Sequence, residues 1–325
     1  MRLRDRFRLL AGALAGLLLA TPALADPQRL PTPQTPVLRA MPAINPPAQS
    51  PSSLASAAKP LAPALWLVKD DDTTIYLFGT IHALRPGVPW FGGKVEQAFA
   101  ESGTLVTEIA DVGSLDVAQT LMGNALLPEG KSLRAMMSEA DRAAFDAALA
   151  KAAIPAVALD RFKPWYAAVV LSTLPLLRAG FKLEEGVEIQ LAARAKATGK
   201  EQAALETAAY QLGLFDALPQ ANQLAYLRQV VANLDTVTTQ VDALVGEWGQ
   251  GDADGLAQAM NSEEVDAGLT EALLTRRNKA WAEWIDQRLD KPGTVFMAVG
   301  AGHLAGPGSV QEQLSARGLA STRLQ

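Results

Sequence analysis

Short alternating runs and one unbroken apolar run mark the strands of this chain. Ala64-Leu-Trp-Leu-Val68 and Thr74-Ile-Tyr-Leu-Phe78 are rich in β-branched and aromatic residues. Asp70-Asp71-Asp72 lies between them as a polar turn, so the two runs read as a hairpin. The second run leads into Gly79-Thr80-Ile81-His82, which puts His82 at or just past a strand end. A helix is expected over Lys94 to Glu101, and Thr104 to Ile109 reads as a strand with Glu108 near its carboxyl end. From about 114 to 290 apolar residues recur at helical spacing, as in Leu212, Leu214 and Phe215 or Leu224, Leu227, Val230 and Val231. Within that stretch Gln202 to Leu205 reads as a short strand leading into Glu206-Thr207, and Pro219 to Val245 as one long amphipathic helix. Thr294 to Val299 is continuously apolar, the pattern of a strand buried on both faces, and it ends in Gly300-Ala301-Gly302-His303. A helix over about Ser309 to Arg317 and an edge strand over Ala320 to Leu324 complete the chain. Strands at both ends with helices between them imply an α/β fold. Its central mixed sheet is formed from N- and C-terminal strands, with a large helical middle region packed around it.

The first residues have a different character. Arg2, Arg4, Arg6 and Arg8 precede an apolar stretch from Leu9 to Ala20, and Ala23-Leu24-Ala25 supplies a small-residue cleavage pattern. Residues 1–25 therefore read as a signal peptide, and the product as periplasmic or secreted with no stable membrane span after processing. Ten prolines punctuate 26–63, so this segment reads as a Pro/Ala-rich disordered linker, with the folded domain over 64–325. The whole chain carries a net charge of −5, and losing the basic leader makes it more acidic. A general electrostatic affinity for nucleic acid is thereby excluded. The absence of cysteine removes disulfides, thiolate metal sites and thiol nucleophiles.

The chain holds only two histidines, and both close a Gly-x-x-His pattern after a strand. Ligands of α/β sheets bind outside the carboxyl ends of strands, so His82 and His303 are placed to meet at one site. Glu108 lies in an apolar strand, where a carboxylate is costly unless it is paired or bound to a cation. Two histidines and a carboxylate form a ligand set for Zn, Mn, Co or Fe with an open position. Glu184, Glu185 and Glu188 fall on an expected helix, either as a solvated edge or as part of a site. Glu206 reads as a general base, a supporting partner or part of a helix cap. Arg277 and Asn278 open a helix carrying Trp281 and Trp284, and Arg277 is suited to hold a carbonyl oxygen or a carboxylate.

Taken in order, Leu77-Phe-Gly-Thr-Ile-His82, Val106-Thr-Glu108, Lys163-Pro-Trp165, Gly186-Val-Glu188, Leu205-Glu-Thr207, Arg277-Asn278 and Val299-Gly-Ala-Gly-His-Leu304 resemble the TraB/GumN family, which includes the TIKI proteases. The resemblance spans about 64 to 305 and implies a metal-dependent hydrolase, with TIKI-like members described as peptidases using divalent ions such as Mn or Co. It implies His82, Glu108 and His303 as metal-site residues, and Glu206, Arg277 and Asn278 as supporting or catalytic groups. The chain departs from the family at Glu188, where Gly-x-Asp is common and Gly186-Val187-Glu188 stands instead.

The expected function is an exported metal-dependent hydrolase, a metallopeptidase in the first instance, acting on a peptide or small acyl substrate. A divalent Mn, Co or Zn ion would activate water, Glu108 or Glu206 would take the proton, and Arg277 or Asn278 would face the oxyanion. No Gly-x-Ser-x-Gly element is present to supply a serine nucleophile. Two alternatives use the same histidines: an esterase-like hydrolase in which His82 is the base without metal, and a non-catalytic periplasmic binder of haem or another ligand.

Overall fold

The computed structural model describes residues 61–110, 122–260 and 270–325. The expected leader and most of the expected linker lie outside these. The last residues of that linker do not belong to it. The Ala62 N–H donates to the Gly249 carbonyl at 2.8 Å, and Leu61 packs into the core beside Trp248, so 61–63 are part of the folded body.

Among the described residues six strands form one sheet in the order β4-β3-β5-β2-β1-β6. They are β1 (Leu65–Lys69), β2 (Thr73–Thr80), β3 (Thr104–Ile109), β4 (Glu201–Glu206), β5 (Gly293–Gly300) and β6 (Thr322–Arg323). β1 and β2 make the expected hairpin, with Leu65 opposite Phe78 and Lys69 opposite Thr74. Asp70 closes its turn by accepting the Thr73 N–H at 2.8 Å through Oδ1. β2, β5, β3 and β4 run parallel, so their carboxyl ends meet at one edge of the sheet. The β2–β5 register pairs Gly79 with Val299 and Thr80 with Gly300. The two Gly-x-x-His patterns therefore leave neighbouring parallel strands one residue out of step. β5 is buried along almost its whole length, as its unbroken apolar run requires. The weakly buried β4 and two-residue β6 are the edges.

The described helices are α1 (Gly93–Glu101), α2 (Glu139–Lys151), α3 (Pro164–Arg178), α4 (Val187–Ala197), α5 (Ala208–Asp216), α6 (Gln220–Asn233), α7 (Val237–Gln250), α8 (Ala253–Met260), α9 (Arg276–Leu289) and α10 (Val310–Ser315). One face of the sheet presents Phe78, Phe296 and Leu105 to α1, α4, α7 and α8. The other presents Leu77, Val106 and Met297 to α9 and α10. A third apolar cluster is helical, built from α2, α3, α5 and α6 around Trp165 and Phe215. Among the described residues no helix is long and apolar enough to cross a membrane.

Two expectations about helices need correction. The single helix over Pro219 to Val245 is two helices, α6 and α7. Asn233, Asp235 and Thr236 interrupt the apolar period, and the Thr236 hydroxyl bonds the Asn233 carbonyl at 3.0 Å in a turn. Glu184, Glu185 and Glu188 do not share a helical face. The first two lie in a single turn, Leu183–Glu185, while Glu188 follows Gly186 into α4 and is buried.

Candidate active site

The carboxyl edge of the parallel strands carries a buried ionic centre. Glu108 is the penultimate residue of β3 and Glu206 the last of β4. Ile109, rather than Glu108, is the β3 residue that pairs with Glu206. Arg277 enters from the first turn of α9 and bridges the two carboxylates. Its Nη2 donates to Glu108 Oε2 at 2.5 Å and to Glu206 Oε2 at 2.9 Å, and its Nε lies 3.0 Å from Glu206 Oε1. Nη1 donates to the Leu273 carbonyl and to Nε2 of His303, at 3.0 and 3.1 Å. Gln211, on α5, donates its amide to both Glu108 and Glu206 at 3.0 and 2.8 Å. The Trp281 indole N–H lies 3.0 Å from Glu206 Oε1, and the Gly300 N–H 2.7 Å from Glu108 Oε1.

These contacts set the charges. Burial alone would raise the pKa of Glu108. The Arg277 guanidinium, His303, His82 and the Gly300 N–H outweigh it and bring the carboxyl from 4.5 to about 2. Arg277 loses hydration too, yet Glu108 and Glu206 hold its pKa above the ordinary value. His303 is fully buried and packs against Trp281, the rings tilted at 44° with a centroid distance of 4.3 Å. Burial, assisted by Arg277, lowers its pKa from 6.5 to about 3. It is therefore neutral at physiological pH.

His82 sits apart from this lattice of bonds. Its Nδ1 bonds Oε1 of Glu188, a buried carboxylate at the start of α4. A carboxylate can only accept, so the proton is on Nδ1 and Nε2 carries a lone pair. Nε2 is screened from solvent and has no hydrogen-bond partner, and neither has Glu188 Oε2. Burial lowers the His82 pKa; Glu108 opposes this and Arg277 adds to it. The pairing depends on Gly186. A Cβ there would collide with the His82 carbonyl, and the Val187 N–H donates to the Ile81 carbonyl at 3.0 Å. Glycine thus lets α4 start directly against the Ile81–His82 backbone, and the extra methylene of Glu188 spans the remaining gap.

The sequence-predicted residues are distributed unevenly across this arrangement. Glu108, Glu206, Arg277 and His303 meet in one network. Asn278 joins it only through His303 and the Gly308 carbonyl, at 2.5 and 2.8 Å. His82 faces the same space from the other side. The position a Cβ on Gly300 would take lies 3.1 Å from Glu108 Oε1 and 3.7 Å from His82 Nε2. Gln211 went unrecognised in the sequence. Its only signal is a lone amide in the apolar run Tyr210 to Phe215.

The expected metal set of His82, Glu108 and His303 does not fit this arrangement. Among the described residues no group of three or more histidines and carboxylates is disposed to hold a metal ion. The His303 lone pair accepts from Arg277, and Glu108 Oε2 is held by the same guanidinium. A cation bound by those atoms would have to displace or face a permanent positive charge. Nor does His303 offer a free nitrogen to a haem iron. The same contacts bear on the expected catalytic roles of Glu108, Glu206, Arg277 and Asn278. Neither Glu108 nor Glu206 stands free as a base. Arg277 and Asn278 direct their donors at protein acceptors rather than at a place for an oxyanion.

These features define an α/β protein with a mixed sheet and a buried ionic centre at the carboxyl ends of its parallel strands. The chain belongs to the TraB/PrgY/gumN family, whose sequence profile matches residues 64–323. It is 24% identical over 257 residues to the uncharacterized protein YbaP of Escherichia coli (strain K12), covering 78% of this chain and 92% of that one. The YbaP protein of Shigella flexneri matches to the same extent. No solved structure matches at a significant level.

Proposed function

We propose that the chain is an exported hydrolase that cleaves an acyl bond with His82 as general base. The observation that carries this reading is the unpartnered lone pair on His82 Nε2, held by Glu188 on the opposite ring nitrogen and bordered by a cleft that His82 and Gly300 line. Carboxylate, imidazole and unpartnered base nitrogen are the orienting and proton-accepting parts of a hydrolytic dyad.

In the proposed reaction water gives a proton to Nε2 while its oxygen bonds to the acyl carbon. The imidazolium then returns the proton to the leaving oxygen or nitrogen as the acyl bond breaks. Glu188 and the ionised Glu108 both favour the transient imidazolium. Burial keeps the resting ring neutral, as a base must be. Gly300 leaves room between Glu108 Oε1 and Nε2, the place where a water would serve both. The Arg277–Glu108–Glu206–Gln211 lattice fixes Glu108 in that position. No metal ion is required.

The test is turnover of p-nitrophenyl esters and blocked peptides by the mature protein and its His82→Gln variant. The expected loss in kcat/KM is about 10²–10⁴-fold with an unchanged melting temperature. Equal turnover by both proteins would overturn the reading.

A further inference from the structure

The cleft that meets His82 has a chemical bias of its own. Its volume is about 550 Å³ including its open mouth. Beyond the Thr80–Ala83 and Gly300–Gly302 segments, its walls are aliphatic: Leu176 from α3, Val241, Leu244 and Val245 from α7, and Leu256 and Met260 from α8. Among the described residues His82 is the only titratable side chain that lines the cleft. Arg85 and Asp242, near the lining residues Ala83 and Val241, pair with each other at the surface. Along the aliphatic walls a carboxylate or ammonium would lose its hydration and find no counter-charge among the described lining residues; the nearest carboxylate, Glu108, stands behind Gly300 at the far end. A Cβ on Gly302 would collide with the Met260 thioether, so glycine there lets a flexible, polarisable side chain close against the backbone beside the histidine.

We propose that this cleft takes an uncharged, unbranched aliphatic acyl chain, so that the bond presented to His82 joins a fatty acyl group to its oxygen or nitrogen. This rests on the hydrolase reading above, and it names the substrate class which that reading leaves open. The chain lies against α7 and α8, the acyl carbon sits beside Nε2, and the leaving group points to the open mouth. Water attacks the acyl carbon, its proton passes through Nε2 to the leaving atom, and the products are a fatty acid and an alcohol or amine. Selectivity comes from apolar contact alone, so it grows with chain length until the cleft is filled.

The experiment is a series of p-nitrophenyl acetate, butyrate, hexanoate and octanoate with the mature protein, together with calorimetric binding of octanol to the wild type and to His82→Gln. The expected rise in kcat/KM is about fourfold per methylene until it levels off. Octanol should bind both proteins alike. Val245→Asp puts a carboxylate on a part-exposed wall residue; it should flatten the ester series and weaken octanol at least tenfold. Turnover with a flat or falling series would overturn the acyl-chain proposal and leave the hydrolase reading standing. Octanol binding without turnover of any ester would overturn both, and would leave the cleft as a binding site only.

Discussion

Asn278 fixes the tautomer of His303. Its side-chain carbonyl lies 2.5 Å from Nδ1, and its amide is turned to the Gly308 carbonyl at 2.8 Å, so Nδ1 carries the proton. Nε2 is then the acceptor that Arg277 requires at 3.1 Å. A permanent cation on one side and an amide carbonyl on the other leave no place for a second proton. His303 therefore acts as a neutral brace between α9 and the end of β5.

That brace makes stability depend on acid. In the unfolded chain His303 protonates near 6.5, but in the folded chain only near 3. Between these values the unfolded state binds more protons, so its share of the stability is complete above 6.5 and is lost as pH falls toward 3. Glu108 acts in the same direction lower down, as pH falls from 4.5 through about 2. Urea unfolding at a series of pH values should show stability declining below 6.5. His303→Gln can keep both hydrogen bonds without titrating, and should reduce the slope above pH 4.5. An unchanged slope would contradict the assignment.

Arg277 is the residue whose loss should cost most. It is 3% exposed and stands between carboxylates that are each 8% exposed. Arg277→Met would leave Glu108 and Glu206 buried without a cation, a defect worth about 3–5 kcal/mol. Arg277→Lys keeps the charge but cannot reach Glu108, Glu206, Leu273 and His303 together, so it should recover only part of this. Adding Glu206→Gln to Arg277→Met should cost less than the sum of the single changes. Denaturant midpoints of the wild type and the four variants, Glu206→Gln alone included, decide it.

The elements of the sheet were legible because their apolar runs are short, regular and closed by glycine or aspartate. The pairing of both chain ends follows once the β5 run is read as doubly buried. The Gly-x-x-His repeat correctly brought His82 and His303 to one edge of the sheet. It did not show that one would be boxed in by Arg277 and Asn278 while the other kept a free nitrogen. That difference depends on where α4 and α9 dock. Glu188 is 106 residues from its histidine, and their meeting depends on Gly186 packing under the His82 carbonyl. Arg277 stood in the sequence as a donor looking for a substrate oxygen. In the fold its acceptors are already present on β3, β4 and the β5 turn, contributed from far along the chain.

The pH dependence of catalysis should separate the two carboxylates near His82. Burial lowers the His82 pKa, so activity should hold constant down to below pH 6.5 and fall only at more acid values. Glu108 works against that lowering. In Glu108→Gln the acid limb of kcat/KM should therefore move to still lower pH, if the variant folds. Movement to higher pH would show that Glu108 does not act on His82 by its charge.

Removal of metal tests the central departure from the expected chemistry. The atoms that would have completed a His82–Glu108–His303 site are engaged by Arg277, whose own pKa is raised by Glu108 and Glu206 and which stays charged at any working pH. An ion bound there would need the guanidinium to withdraw, leaving Glu206, its bond to Trp281 and the bridge from Gln211 to rearrange with it. Prolonged dialysis against a chelator should accordingly leave ester turnover unchanged and the melting temperature within a degree or so. Added Mn, Co or Zn should not raise either, since a ligand that binds only the folded state would stabilise it. Stoichiometric metal in the purified protein, lost together with activity and restored by one of these ions, would show instead that Arg277 yields its place to a cation. His82 would then be a ligand rather than a base.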